Sequence, residues 1–251
     1  MAPPSSPAVR RSLGRAEDGA RIAVDLGEDV ASAALRSAWP RQGLDLIDGE
    51  TPADGATDAD PIAFATPADL VRVESQLALF AAEHLDRLVA VHATLIAWPD
   101  LVVLAPGSSH AGKTTFALAA RSHGARIWSD EYALVDPETG RTTGWQRPLH
   151  VRGPEGTTRL DLAEPGPPVP VDAVAAIRYD PAVGTVFVPM APADVASALL
   201  ANAVCARRRP EDTIVAAAAI ARTATGIQGT RGEAGDAVAE LRDQLLTRRG
   251  S

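Results

Sequence analysis

Leu101-Val102-Val103-Leu104-Ala105-Pro106-Gly107-Ser108-Ser109-His110-Ala111-Gly112-Lys113-Thr114-Thr115 is the stretch on which the reading of this chain turns. Leu101 to Ala105 is an unbroken apolar run, the pattern of a buried strand. Gly107 to Thr114 then matches the phosphate-binding (Walker A) loop G-x-x-x-x-G-K-[ST] at every fixed position. The residues from Thr114 to Arg121 open a helix, so the motif sits in the strand–loop–helix context it requires. Glycine lets the loop backbone curl until successive N–H groups face inward, and the helix turns its positive end to the same place. Gly107, Ser108, Ser109, His110, Ala111, Gly112, Lys113, Thr114 and Thr115 are therefore expected to hold nucleotide phosphates. Lys113 would reach the β- and γ-phosphates, and the Thr114 hydroxyl would ligate Mg2+. His110 stands where many such loops carry glycine, and histidine is among the residues that tolerate left-handed backbone angles.

Lys113 is the only lysine; the other 23 of the 24 basic residues are arginine. For a lone lysine placed at random, glycine one and six residues before it and Ser or Thr after it coincide roughly once in a thousand. A compact ammonium on a flexible stem is kept where a planar fork would not serve.

Length and composition allow one large domain, or one with a small appendage, since 251 residues with 46% hydrophobic content suffice for a sizeable core. A net charge of −8 argues against a nucleic-acid partner. The single Cys205 excludes an intramolecular disulfide and reads as a small core residue. Met1 to Arg10 lacks the apolar core of a signal peptide, and no apolar run is long enough to span a membrane, so a cytoplasmic location is expected.

Residues 1–18 read as disordered, 19–87 as a small α/β appendage, and 88–251 as the phosphate-binding domain. Within the appendage, Ala20–Asp25 suggests a strand and Asp29–Ala38 a short helix. Asp45, Asp48, Glu50, Asp54, Asp58 and Asp60 mark an acidic segment without metal-ligand spacing, read as a solvated loop. Thr66-Pro67-Ala68-Asp69 is a helix start, followed by Leu70, Val73, Leu77, Phe80, Ala81 and His84 at helical spacing. Strands are expected at 88–97 and 101–105, joined by a tight Trp98-Pro99-Asp100 turn. That strand–turn–strand lead into the loop differs from folds in which strands and helices alternate. Beyond the loop helix come a strand over 126–131 ending in two acids, an extended 132–135, a turn at 137–140 and a return strand to Trp145. Short strands follow at 174–179 and 185–188, then helices over 193–206, 211–222 and 233–247.

Hydrolysis or transfer needs more than a phosphate loop: a carboxylate for the metal and a group that activates the acceptor. Asp130 closes an apolar strand at the place for a metal-ligating acid, and Glu131 beside it is a candidate base. In a regular strand the two would point to opposite faces; if the strand ends at Ser129, both can face the site. The five histidines all fall between residues 84 and 150, around the loop. By position alone, His92 reads as a hydrogen-bonded core histidine.

His92-Ala93, the strand–turn–strand into Gly107…Lys113-Thr114, and Ser129-Asp130-Glu131-Tyr132 together resemble the catalytic core of bacterial HPr kinase/phosphorylase and its relatives. Arg147-Pro148-Leu149-His150-Val151-Arg152-Gly153 is similar to a later segment of that family carrying a basic residue and a glycine near the acceptor phosphate. The likeness covers about residues 88–155. It implies the mixed-sheet α/β fold of the HPr kinase C-terminal domain and ATP-type phosphoenolpyruvate carboxykinases, and ATP- and Mg2+-dependent phosphorylation of a serine hydroxyl. It also implies catalytic parts for His92, as a phosphate-contacting or charge-relaying group, and for Arg152. Thr115 stands where the family carries an acid, Glu131 replaces a second Asp, and residues 1–66 do not match the family's extra N-terminal domain. These departures resemble shorter relatives, some of which modify peptides made by neighbouring biosynthetic genes.

The expectation is a kinase acting on a small protein or peptide, either HPr-like or encoded nearby, with Lys113, Asp130, Glu131, His92 and Arg152 catalytic and Thr114 and Asp130 holding the metal. A homo-oligomer is compatible with the alanine-rich helices. The alternatives are a small-molecule kinase using the same site, or a nucleotide-binding sensor or assembly protein without turnover.

Overall fold

The apolar runs around the glycine loop become the interior of a mixed sheet, because both of their faces are covered by helices. A computed structural model describes residues 9–27, 44–48, 57, 62–64, 70–108, 111–145, 147–153 and 156–249. The chain divides into two units, Met1–Asp86 and Arg87–Ser251.

In the first unit, β1 (Val9–Ala16), β2 (Arg21–Gly27), β3 (Leu44–Asp48) and β4 (Ile62–Phe64) form a sheet in the order β3-β1-β2-β4. β1 pairs antiparallel with both β2 and β3, so residues 9–16 form a strand where disorder was expected, and residues 1–8 lie outside the described residues. Its Arg- and Ser-rich sequence hides a strand that is specified by pairing on both edges rather than by alternation. β3 likewise places the start of the acidic segment in a strand, where a loop was expected. The expected helix at 29–38 and most of the acidic segment lie outside the described residues. Helix α1 (Leu70–Glu83) buries Val73, Leu77, Phe80 and Ala81 at the expected spacing. His84, also buried, bonds through Nδ1 to Asp18 Oδ2 at 2.9 Å.

Among its described residues, the second unit has a main sheet of eight strands: β5 (Val89–Trp98), β6 (Leu101–Pro106), β7 (Arg126–Ser129), β8 (Tyr132–Val135), β9 (Thr142–Gly144), β12 (Ala173–Tyr179), β13 (Val186–Met190) and β14 (Thr225–Arg231). A separate antiparallel hairpin, β10 (Leu149–Gly153) with β11 (Gly156–Leu160), lies between β9 and β12 in sequence. The main sheet runs β13-β14-β12-β6-β5-β8-β9, with β7 also on β5. It is mixed: β6, β12 and β14 are parallel, while β5, β8, β9 and β13 pair antiparallel.

Alternation along β5 and β6 sorts the core into two layers. Val89, Val91, Leu95 and Leu104 pack with Val195, Leu199, Ala216 and Ile220 of helices α3 (Pro192–Ala201) and α4 (Pro210–Ala221). Ile96, Trp98, Leu101 and Val103 pack with Phe116, Ala117, Val238 and Leu241 of helices α2 (Lys113–Ser122) and α5 (Ala234–Arg249). The result is an α/β unit with a helical layer on each face of the sheet. Cys205 is fully buried in the first layer. The helix expected over 193–206 stops at Ala201 and continues as turns. Among the described residues, no helix is long and apolar enough to cross a membrane.

Candidate functional site

The parallel strands β6, β12 and β14 all end on the same side of the sheet, where open α/β sheets bind their ligands. The glycine loop leaves the end of β6 and enters α2 at Gly112, whose φ of 84° is left-handed. Among the described residues no side chain caps this helix, and its first backbone bond runs from Phe116 N to Gly112 O at 3.0 Å. The N–H groups of Lys113, Thr114 and Thr115 precede that first bond and are the helix's natural anion donors. At the other end of the loop, Gly107 donates to His92 O at 3.2 Å, which fixes the loop to the neighbouring strand β5. A Cβ built on Gly107 would lie 3.3 Å from the Ala111 Cβ, so the loop closes tightly on itself. Ser109 and His110 lie outside the described residues.

Lys113 folds back over this loop, donating from Nζ to the carbonyls of Gly107 and Ser108, both at 2.9 Å. Burial lowers its pKa, while the charges of Glu131 and Asp130 act in the opposite direction. Thr114 is half-buried and donates from Oγ1 to Asp130 Oδ2 at 2.7 Å. Thr115 is exposed.

The acid pair occupies a break in the sheet. β7 pairs with β5 as far as Leu95↔Ser129, and β8 takes over at His92↔Tyr132. Asp130 and Glu131 bridge the two, and the Glu131 carbonyl accepts from Ala93 N at 3.1 Å. Ser129 Oγ accepts the N–H groups of Glu131 and Tyr132, both at 3.2 Å, so a side chain replaces the interrupted ladder. The strand ends at Ser129, and the neighbouring acids are released from strict alternation. Asp130 meets Thr114, while Glu131 Oε2 is ion-paired with Arg147, itself only 5% exposed.

His92 lies on β5 beside this break, with its ring centroid 5.8 Å from that of Tyr132. Its pKa falls to about 4, first through burial and second through the Lys113 charge. The imidazole is therefore neutral at pH 7 and offers one N–H donor and one acceptor.

Lys113, Thr114, Asp130, Glu131 and His92 are thus gathered around one loop mouth. Arg152 is exposed on β10, and the arginine joined to the acid pair is Arg147. Two arginines escaped the sequence reading. Arg147 begins the very segment that was singled out, five residues before Arg152. Arg231 ends β14, and its Nη2 donates to Gly112 O at 3.2 Å, with no motif to mark it.

These residues fit a magnesium–nucleotide pair. Magnesium takes one or two carboxylates, hydroxyl oxygens and phosphate oxygens, and Thr114 Oγ1 and Asp130 Oδ2 already converge. The uncapped helix end and the ammonium over the loop supply the anion side. Compared with protein-family models and with curated proteins, the chain matches none.

Proposed function

We propose that this chain is an ATP- and Mg2+-dependent kinase that transfers the γ-phosphoryl group to a hydroxyl, a serine of a small protein or peptide, on a fold of the HPr kinase C-terminal type. The observation that carries the reading is the Thr114–Asp130 bond at 2.7 Å across the mouth of a lysine-bearing glycine loop, with a second acid adjacent. Loop, hydroxyl, carboxylate and neighbouring base are the parts that phosphoryl transfer requires.

Lys113 and the amides of Gly107–Thr115 hold the phosphates, and Thr114 and Asp130 hold the metal. Bound magnesium supplies charge neutralisation on the phosphate oxygens. Asp130 or Glu131 accepts the proton as the acceptor oxygen forms its bond to phosphorus and the bond to ADP breaks. Arg147 orients Glu131. His92 donates a neutral hydrogen bond to the phosphoryl oxygens, and Arg152 is the cation assigned to the incoming acceptor.

A second reading, nucleotide binding without transfer, is favoured by one observation: the Glu131 carboxylate is already occupied by the buried Arg147 guanidinium. Turnover and affinity measured separately decide between the two. In a kinase, Asp130→Asn and Glu131→Gln each lower turnover by about 100-fold or more while ATP affinity without metal changes only several-fold. Wild type that binds ATP but transfers to no peptide, protein or small-molecule acceptor rejects the kinase reading in favour of the binding one.

A further inference from the structure

Arg231 stands at the last position of β14, in register with Tyr179 at the end of β12, and so at the same sheet end as the glycine loop. It is 4% exposed. Nη2 donates to Gly112 O at 3.2 Å and Nη1 to Gly232 O at 3.1 Å. The guanidinium carbon lies 4.9 Å from the centroid of the Tyr179 ring, which is 49% exposed. Arg231 and Lys113 line one small cleft together with Pro106, Ala111 and Ile177.

Two features set this arginine apart from a structural one. A buried charge is ordinarily paired with an opposite charge, because desolvation is costly. Among the described residues no carboxylate is bonded to Arg231; its partners are two carbonyls and an aromatic face. Burial lowers its pKa, and Tyr179 first and Glu233 second counteract this only in part. The second feature is the fit to Gly112. A Cβ there would come within 2.3 Å of Nη2, so with the guanidinium in this place glycine leaves it room, and the left-handed backbone favours glycine independently.

We propose that Arg231 is the second cation of the phosphate site: a positioning residue that fixes the Gly112 carbonyl, and so the helix N–H groups behind it, and whose unneutralised charge is balanced by the polyphosphate of a bound nucleotide. This rests on the nucleotide-binding reading above. Lys113 approaches the phosphates from the loop mouth, and Arg231 braces the loop from the β14 side. The ligand class is a di- or triphosphate chain, with or without a nucleoside.

The test is calorimetric titration of the full chain with inorganic tripolyphosphate and with Mg-ATP at low and high salt. Arg231→Met is expected to weaken both ligands by about 10- to 100-fold at low and at high salt alike, since the desolvated charge contact that is lost is screened little. Arg231→Lys keeps the charge but cannot span both carbonyls, so about 3- to 10-fold weaker binding with wild-type salt dependence is expected. Arg178→Met removes the same charge from an exposed position one residue before Tyr179, and affinity should stay within about twofold. Wild-type affinity in Arg231→Met overturns the proposal while leaving the nucleotide reading intact. Should that variant not fold, Arg231→Lys decides, and wild-type affinity there overturns it equally. Failure of wild type to bind either ligand in a Lys113-dependent way overturns both.

Discussion

Burial and the Lys113 ammonium together hold the His92 imidazole at a pKa of about 4. In the unfolded chain the same group titrates near 6.5. Between these values the unfolded state binds more protons, so stability rises with pH through the window and falls as pH drops from 6.5 towards 4. The slope cannot exceed about 1.4 kcal/mol per pH unit for one proton, and a half-buried ring gives less. Urea unfolding at several pH values should show that slope in wild type and its reduction in His92→Asn; equal slopes would contradict the assignment. Polyphosphate reverses the sign of the local field, so NMR titration should find the His92 pKa raised on binding. Thr114→Val removes the donor to Asp130 Oδ2. Its expected stability cost is about 1 kcal/mol, because Asp130 is half-buried and water can replace the lost donor. Its main effect should be on nucleotide affinity, which loses most of its magnesium dependence; unchanged magnesium dependence would remove Thr114 from the metal site.

At the scale of elements, the turn from loop to helix depends on Gly112. A side chain there meets both a left-handed φ of 84° and the Arg231 guanidinium. Gly112→Ala should lower stability by about 1–3 kcal/mol and nucleotide affinity by more than tenfold. Gly144→Ala provides the contrast. Its Cβ would lie 2.1 Å from the rigid Trp128 carbonyl, so the loss should appear first in the unfolding midpoint. Elements with their own pattern were readable from sequence: the β5–β6 hairpin, the glycine loop and α2 follow from apolar runs, turn residues and the motif. β14 was not. Thr225-Gly226-Ile227-Gln228-Gly229-Thr230-Arg231 carries two glycines and one large apolar residue, and reads as a loop. It is a strand because β12 and β13 flank it, and Gly229 lets Val186 O come within 1.8 Å of where a Cβ would stand. Arg231 was hidden with it, since its contact to Gly112 spans 119 residues. The acid pair was visible as a strand end, but Arg147, which reaches Glu131, depends on how the β8–β9 hairpin brings the chain back.

For the whole molecule, every residue assigned to the site falls in Arg87–Ser251, which also contains both core layers of the eight-stranded sheet. A chain of residues 87–251 is therefore expected to unfold cooperatively and to bind Mg-ATP within about threefold of the full protein. Loss of binding in a folded fragment would show that the first unit completes the site. The most direct test of the kinase assignment is transfer of label from [γ-32P]ATP with Mg2+ to HPr, to peptides encoded beside the chain and to free serine. Wild type would be compared with Lys113→Ala and Asp130→Asn. The expected result is label on a serine of one protein or peptide acceptor, lost in both variants. Label transferred equally well by Lys113→Ala, or none on any acceptor by a wild-type protein that binds ATP, would contradict it.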